Sequence, residues 1–452
     1  MDRRRLIIFG VVSAVIIVLL LILLGCVSRG KNKPKQGDGG PITLTYWRPF
    51  DEKEVFDPII EDFEKENPNI KIEYKKIAPY SEYQQKLLEA IASGSGPDLF
   101  AIGNTWIPQY QNKLAAAEAG QVNPADYEKA FYPLIAKENI IDNKVYGIPY
   151  SIDTLALFSN TTLLQQFEVT EAPKTWDELV GRSPNPVTPS DTGQPSLISK
   201  IAKRSGNAIT QPAIALGTAN NVPRAVDILS LMMLQNRTLM VSENRETAIF
   251  NQRQKVEGGK ELYLGTESAK FYNSFADPKS PNYTWNDQQP AAVNMFAAGK
   301  LPLMVGYTYQ IPTIERLNPN LRYQINPMLQ IGGTDPVNFG SYWTEVVSKT
   351  SPHQKEAWKF LIFVSSKDHI RDYTDKVTAV PARKDVGNLG KVQVFAEQAA
   401  TATNWYKGLP DKSDQIFIEL INAMLGGDDA QRALDAAANK QTGLYGELKN
   451  QK

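Results

Sequence analysis

From residue 42 to residue 106 the spacing of apolar residues switches back and forth between the strand and helix periods, and few folds accommodate that alternation. Ile42, Leu44 and Tyr46 alternate with polar neighbours as in a half-buried strand that ends at Trp47. Val55, Phe56, Ile59, Ile60 and Phe63 then recur at helical spacing; Pro58 falls among them, so the helix is expected to start near Asp57 with the proline in its tolerated first turn. Ile70, Ile72 and Tyr74 alternate again. Tyr83, Leu87, Ala90 and Ile91 make an amphipathic helix over 80–93, stopped by Gly94 to Pro97, and Leu99 to Ile102 is a third strand running into Asn104, Thr105 and Trp106. This order predicts an α/β fold with a doubly wound sheet flanked by helices, whose ligands sit outside the carboxyl ends of its strands. Trp47 and the 104–106 turn occupy such ends.

At 452 residues the chain is too long for one core. Residues 146–160 read as a crossing between two lobes. Gly147 and Pro149 set a bend, the residue before a proline is pushed to extended geometry, and Asp153 to Phe158 suits a buried strand. Beyond it, short helices are expected at 160–167 and 175–179, with Thr175 as N-cap, followed by a proline- and Ser/Thr-rich loop over 181–211. Val226, Leu229 and Met233 form a helical stripe, which reads as core packing. Leu301 to Val305 is a strand emptying into Gly306, Tyr307, Thr308 and Tyr309. The chain is expected to return to the first lobe after Met328 and to cross a third time at 378–383, before C-terminal helices capped by Gly426 and Gly427. The expected organisation is therefore a signal peptide or membrane anchor over 1–27, a flexible tether over 28–41, a first lobe of 42–152 and 328–380, and a second of 153–327 and 381–452.

Charge and composition narrow the partners. The 49 basic and 49 acidic residues balance, and no Lys/Arg stripe lies beyond the first residues, which excludes nucleic acid. Cys26 is the only cysteine, so no internal disulfide forms, and two histidines are too few for a His-rich metal centre; no cofactor is expected. Arg3, Arg4 and Arg5 precede an apolar run from Leu6 to Leu24, the pattern of an export signal. Leu23-Leu24-Gly25-Cys26 resembles a bacterial lipobox, in which the cysteine is lipidated. A run of this length also suits an uncleaved anchor. Either reading places the rest of the chain at the outer face of the cytoplasmic membrane.

The crossing segment, Tyr146 to Asn160, resembles the Tyr-Gly-Ile-Pro…Asp-Thr…Phe-x-Asn pattern of extracellular solute-binding proteins of the sugar-binding type, which feed ABC importers. Thr43 to Trp47, Phe63 to Ile72, Ser95 to Leu99, Thr175 to Leu179, Ile214 to Gly217, Ala291 to Lys300, Met304 to Gly306 and Ala379 to Arg383 follow in the family's order across most of the chain. The resemblance implies a two-lobed, periplasmic-binding-protein-like fold with hinge crossings, no catalysis, a mono- or oligosaccharide ligand and ABC permease subunits as partners. In the family, polar residues of the first crossing face the ligand, which here brings in Tyr150 and Asp153.

A sugar presents C–H faces and hydroxyl edges, so its binder needs flat aromatic rings and planar polar groups. Trp47, Trp106 and Trp343 from the first lobe, and Trp285, Tyr307 and Tyr309 from the second, fall at expected strand ends or loops. Asn104, Asp153 and Glu345 are placed to accept hydroxyl protons and Arg383 to donate. Core packing is the competing reading for each indole, above all for mid-helix Trp358. Two other functions remain open on sequence alone: a surface protein that senses or adheres without a transporter, and an exported glycoside-acting enzyme. The latter needs an acid and a base flanking one bond, and nothing in the sequence pairs Asp153 with Glu345.

Overall fold

Strand β1 (Ile42–Arg48) turns its even-numbered residues inward, and helix α1 (Lys53–Glu66) covers it with Phe56, Ile59, Ile60 and Phe63. The structure is a computed structural model describing residues 40–181, 196–387 and 389–450. Cys26, the export segment and nearly all of the tether lie outside the described residues, as does the proline-rich part of the 181–211 loop. Helix α1 starts at Lys53, earlier than expected, with Pro58 inside it. Pro58 is exposed, so the carbonyl that loses its helical donor lies on the solvent face, where water can bond it.

Next come β2 (Ile70–Lys76), α2 (Tyr80–Ser93), β3 (Leu99–Gly103) and the short β4 (Leu114–Ala115). Helix α2 ends on Gly94 at φ 75°, the left-handed geometry that glycine adopts without a Cβ penalty. Helix α3 (Pro133–Asn139) leads to β5 (Gly147–Pro149), β6 (Ser151–Thr154) and β7 (Ala156–Asn160). The second lobe then adds α4 (Ala225–Gln235), β8 (Leu303–Gly306), α5 (Gln310–Leu317) and β9 (Tyr323–Asn326). The return runs through β10 (Asn338–Ser341) into β11 (Trp343–Ser348), helices α6 (Gln354–Val364) and α7 (Lys367–Val377), and β12 (Val380–Pro381). Strand β13 (Ala402–Thr403) and helices α8 (Pro410–Leu425) and α9 (Ala430–Asn450) close the chain.

The first lobe's sheet has the order β2-β1-β3-β11-β4, with β5 also pairing β11. Strands β1 and β3 are parallel, while β11 enters antiparallel to β3 with Trp343 opposite Gly103 and Val347 opposite Leu99. A strand some 240 residues later in sequence thus completes the centre of the lobe that the N-terminal strands begin. The second lobe holds the antiparallel sheet β8-β7-β9, whose middle strand is buried throughout, as its apolar run requires. Between them β12, β6, β10 and β13 form a four-stranded sheet. Asp153 pairs with Ser341 and Ile152 with Val380, so strands from all three passages lie side by side.

The return falls later than the expected position at 328. Met328 N donates to Gln398 (2.7 Å), Gln235 donates to Leu329 O (2.8 Å) and Trp176 N donates to Gln330 O (3.0 Å), all within the second lobe. The chain joins the first lobe's sheet only at Trp343. Gly147, expected to bend the chain, instead lies in β5 at the register position opposite Val346.

Candidate functional site

The strand ends of the first lobe carry a cluster of rings. Trp343, at the start of β11, meets Phe50 edge-on at 4.8 Å, Trp106 at 5.2 Å, Tyr80 at 6.0 Å and Tyr83 at 6.1 Å. Trp106 is buried and stacks on Tyr110, whereas Trp343 and Trp47 are half-buried, the latter under the Lys75 ammonium at 5.4 Å. Tyr80 remains 50% exposed. The structure therefore gathers Trp47, Trp106 and Trp343 at one edge of the lobe, and adds Phe50 and Tyr80, whose alternating and helix-start positions gave no separate signal.

The second lobe presents a charged network beneath two tyrosines. Buried Asp227 on α4 accepts from Tyr307 OH (3.0 Å) and Arg224 Nε (2.8 Å), and Lys407 Nζ lies 3.5 Å from its other oxygen and 2.6 Å from Asp414. Against the desolvation of burial, Arg224 and Lys407 hold the Asp227 carboxyl below its usual range. Tyr307 is locked in this network and supports Tyr309, stacked on it at 5.9 Å and 55% exposed.

Asp153 is spent within the protein. Its Oδ2 accepts from Thr308 N (2.9 Å) and Thr308 Oγ1 (2.6 Å), and Oδ1 from Thr154 N (2.9 Å), so it latches the Tyr307–Tyr309 turn to crossing strand β6. Burial raises its pKa to about 7 despite these donors. Tyr150 is buried beside Arg48, whose guanidinium lies 5.7 Å from its ring. Trp285 is 0% exposed and donates its indole N–H to Asn221 (2.9 Å), which makes it a core residue. Arg383 forks onto Asp385 through two 2.9 Å bonds and also donates to Ser365 O. Glu345 is fully buried beside Arg48. None of these five side chains reaches the main cavity.

That cavity, about 610 Å³, is walled by residues 104–142 of the first lobe and by 244–246, 404–407 and 445–449 of the second. Its volume lies within the range of small-molecule sites. Of the eleven residues singled out from sequence, Asn104 lines it. Asn104 Nδ2 donates to Glu138 Oε2 (3.0 Å), which also accepts from Tyr342 OH (2.6 Å). Burial raises the Glu138 carboxyl, and Tyr342, Asn104 and Asn404 oppose that shift. Sequence reasoning missed Glu138, because one acid on a short helix before a crossing looks like any solvated helix residue. Among the described residues no group of His, Cys, Asp or Glu is placed to hold a metal ion.

The profile of the family described as bacterial extracellular solute-binding protein matches residues 50–369. A protein of Brucella abortus named as a binding protein is 24% identical over 357 residues, 76% of this chain and 76% of that protein. The multiple sugar-binding protein of Streptococcus mutans is 23% identical and covers 80% of this chain and 79% of its own length. The solved sugar-binding protein MalE from Xanthomonas citri superposes with a TM-score of 0.71 at 20% identity, covering 90% of this chain and 98% of that one.

Proposed function

The chain belongs to the bacterial extracellular solute-binding protein family, whose members are binding proteins of ABC transporters and not enzymes, and from that premise we propose that it captures a carbohydrate between its lobes and delivers it to the permease subunits of an importer. On this reading the N-terminal segment holds the protein at the outer face of the cytoplasmic membrane, through lipid on Cys26 or as an uncleaved anchor. The observation that carries the proposal is the 610 Å³ cavity, whose walls mix polar side chains such as Asn104, Glu138, Asn244 and Asn404 with apolar and aromatic ones such as Ile107, Ile140, Trp405 and Tyr445 from both lobes. Hydroxyl groups in it would meet partners from both sides, so bound ligand favours the closed arrangement by hinge bending at the three passages. A ligand lacking one hydroxyl would leave a buried partner unpaired, which supplies discrimination.

Thermal unfolding of the full-length protein in detergent, scanned against mono- and oligosaccharides with amino acids and peptides as controls, tests this. Ligand that binds only the native state raises the melting temperature by mass action. A rise with a subset of sugars supports the reading. A rise with a peptide or amino acid and with no sugar refutes it.

A further inference from the structure

Asp153 sits where the first crossing strand, β6, meets the turn that leaves β8. Its Oδ2 accepts from Thr308 N (2.9 Å) and Thr308 Oγ1 (2.6 Å), its Oδ1 accepts from Thr154 N (2.9 Å), and Tyr309 N adds a fourth donor. An ionised carboxylate has about four acceptor positions, so this one is saturated. Three of the four donors belong to the turn. The entering side of the turn has its own anchors, since Tyr307 N donates to Gln310 Oε1 (2.9 Å) and Tyr307 OH to Asp227 (3.0 Å). Tyr309, 55% exposed, faces the first lobe: desolvation raises its hydroxyl, Arg224 opposes that shift, and Asp153, Asp227 and the first lobe's Tyr80 add to it. Strand β6 in turn pairs with β10 and β12, so one carboxylate joins the turn to all three passages.

We propose that this latch is proton-operated: ionised Asp153 holds the Tyr307–Tyr309 turn on crossing strand β6 in the arrangement that captures ligand, and protonated Asp153 lets the turn loosen. Asp153 is thus a positioning residue, and its effect on capture rests on the carbohydrate reading above while the latch itself does not. A proton arriving on Asp153 meets no free acceptor position. The Thr308 hydroxyl can rotate to accept it, which gives up one donor. The Thr308 and Tyr309 N–H groups cannot rotate, and they are left on a neutral acid, whose hydrogen bonds are about half as strong as those of a carboxylate. The change falls in an accessible range, because burial raises the Asp153 carboxyl to about 7 while its four donors oppose the shift. Ionisable groups reach this region from several elements. Tyr307 and Tyr309 lie on the turn, Asp227 is held by Tyr307 and Arg224, and Glu315 and Arg316 lie on α5, where Glu315 pairs with Lys391. On the helix Gln393–Ala399, packed against β6, Glu397 accepts from Gln393 (3.0 Å), and β10 and β12 carry no ionisable residue.

Hydrogen–deuterium exchange of the full-length protein in detergent at pH 8.5 and pH 5.5, expressed as protection relative to unstructured peptide at each pH, reads the turn without any ligand. Protection of the 307–310 amides is expected to be about tenfold lower at pH 5.5, the difference between charge-assisted and neutral bonds. Asp153→Asn has no titrating group there and is expected to give equal protection at both. Thr308→Val removes a donor that favours the carboxylate, so the pH at which protection falls is expected to move up. Overall stability runs the other way. A buried acid with a raised pKa favours the fold below its unfolded value and loses that advantage as pH rises through about 7, so a loss confined to 307–310 at the lower pH reports the latch. Glu138, Glu345, Asp411 and both histidines are present in every variant. No fall in the unsubstituted protein, or a fall that persists in Asp153→Asn, therefore overturns the proposal. Calorimetric titration with maltotetraose, mannotriose, diacetylchitobiose and tagatose at the same two pH values adds the ligand. The sugar bound most tightly is expected to lose several-fold in affinity at pH 5.5 in the unsubstituted protein and to keep it in Asp153→Asn; equal affinity at both pH values in the unsubstituted protein overturns the link to capture. A pH-dependent turn in a protein that binds none of these sugars but binds a peptide upholds the latch and removes the carbohydrate reading instead.

Discussion

Arg48 shows how far a residue's neighbours can depart from its place in the sequence. It follows Trp47 at a strand end, where a cation looks ligand-facing, yet it is buried with its guanidinium 3.4 Å from Glu345 Oε1 and 3.3 Å from Asp51 Oδ2. It donates to Tyr373 OH (3.2 Å), and the rings of Phe56, Tyr373 and Tyr150 surround it at 4.9 to 5.7 Å. Arg48 and, after it, the Tyr46 hydroxyl offset the cost of burying the Glu345 charge. Desolvation raises the Glu345 carboxyl even so, with Arg48 opposing the shift. A raised carboxyl favours the fold fully below its unfolded pKa, and that advantage is lost as pH rises through the raised value. Arg48→Met removes the opposing cation and pushes Glu345 higher still. Denaturant unfolding of this variant is expected to show a loss of about 3–5 kcal/mol at pH 8 that shrinks toward pH 5, where Glu345 can take up a proton. A loss that does not change with pH would mean that Glu345 is not the group left stranded. Asp153 and Glu345, both read from sequence as hydroxyl acceptors, are thus spent on the protein, and no pattern in one sequence says which carboxylates a fold will consume internally.

At the scale of elements, periodicity was a good guide wherever burial is one-sided. Strands β1, β2 and β3 and helix α2 fall where their patterns put them, the single buried strand expected over 153–158 is broken at Leu155 into β6 and β7, and Thr175 caps its helix by accepting from Glu178 N at 3.2 Å. What stayed hidden depends on partners distant in sequence. The insertion of β11 beside β3, and the retention of 328–338 by the second lobe, rest on pairings that no local window contains. Gly147 illustrates the same point. Its φ is not in the left-handed region, so no turn requires glycine there; a Cβ at that position would instead strike Thr344 Oγ1 and lie 2.9 Å from Asn139 Oδ1 and 3.1 Å from Glu345 O. Glycine is needed for the close approach of β5 to β11. Gly147→Ala is therefore expected to destabilise the protein by about 1–3 kcal/mol in denaturant unfolding, as overpacking of a closed site does. A neutral result would show that β5 can move off β11 freely.

For the whole molecule the question is whether the sheet shared by the three passages bends as one hinge. Strands β6, β10 and β12 lie side by side, so one passage cannot swing without carrying its neighbours. Gly340 sits in this sheet with Leu134 of the first lobe on one side and Ala402, on β13, on the other. A Cβ at 340 would strike Leu134 Cδ2 and come within 3.0 Å of Ala402 Cβ. If the lobes close about this line, added bulk there strains the closed arrangement more than the open one, and a ligand can shift the balance only by its differential affinity for the two. Gly340→Ala, which touches no cavity wall, is then expected to weaken sugar binding by about tenfold, the equivalent of 1.4 kcal/mol of strain falling on the closed form. Small-angle X-ray scattering supplies the second readout. The unsubstituted protein should contract when sugar is added, and the variant should need correspondingly more sugar to reach the same radius of gyration. If instead the variant unfolds more easily by the same margin with and without sugar, and its affinity is unchanged, the strain is common to both arrangements. Gly340 would then be ordinary packing, and the lobes would move about some line other than this sheet.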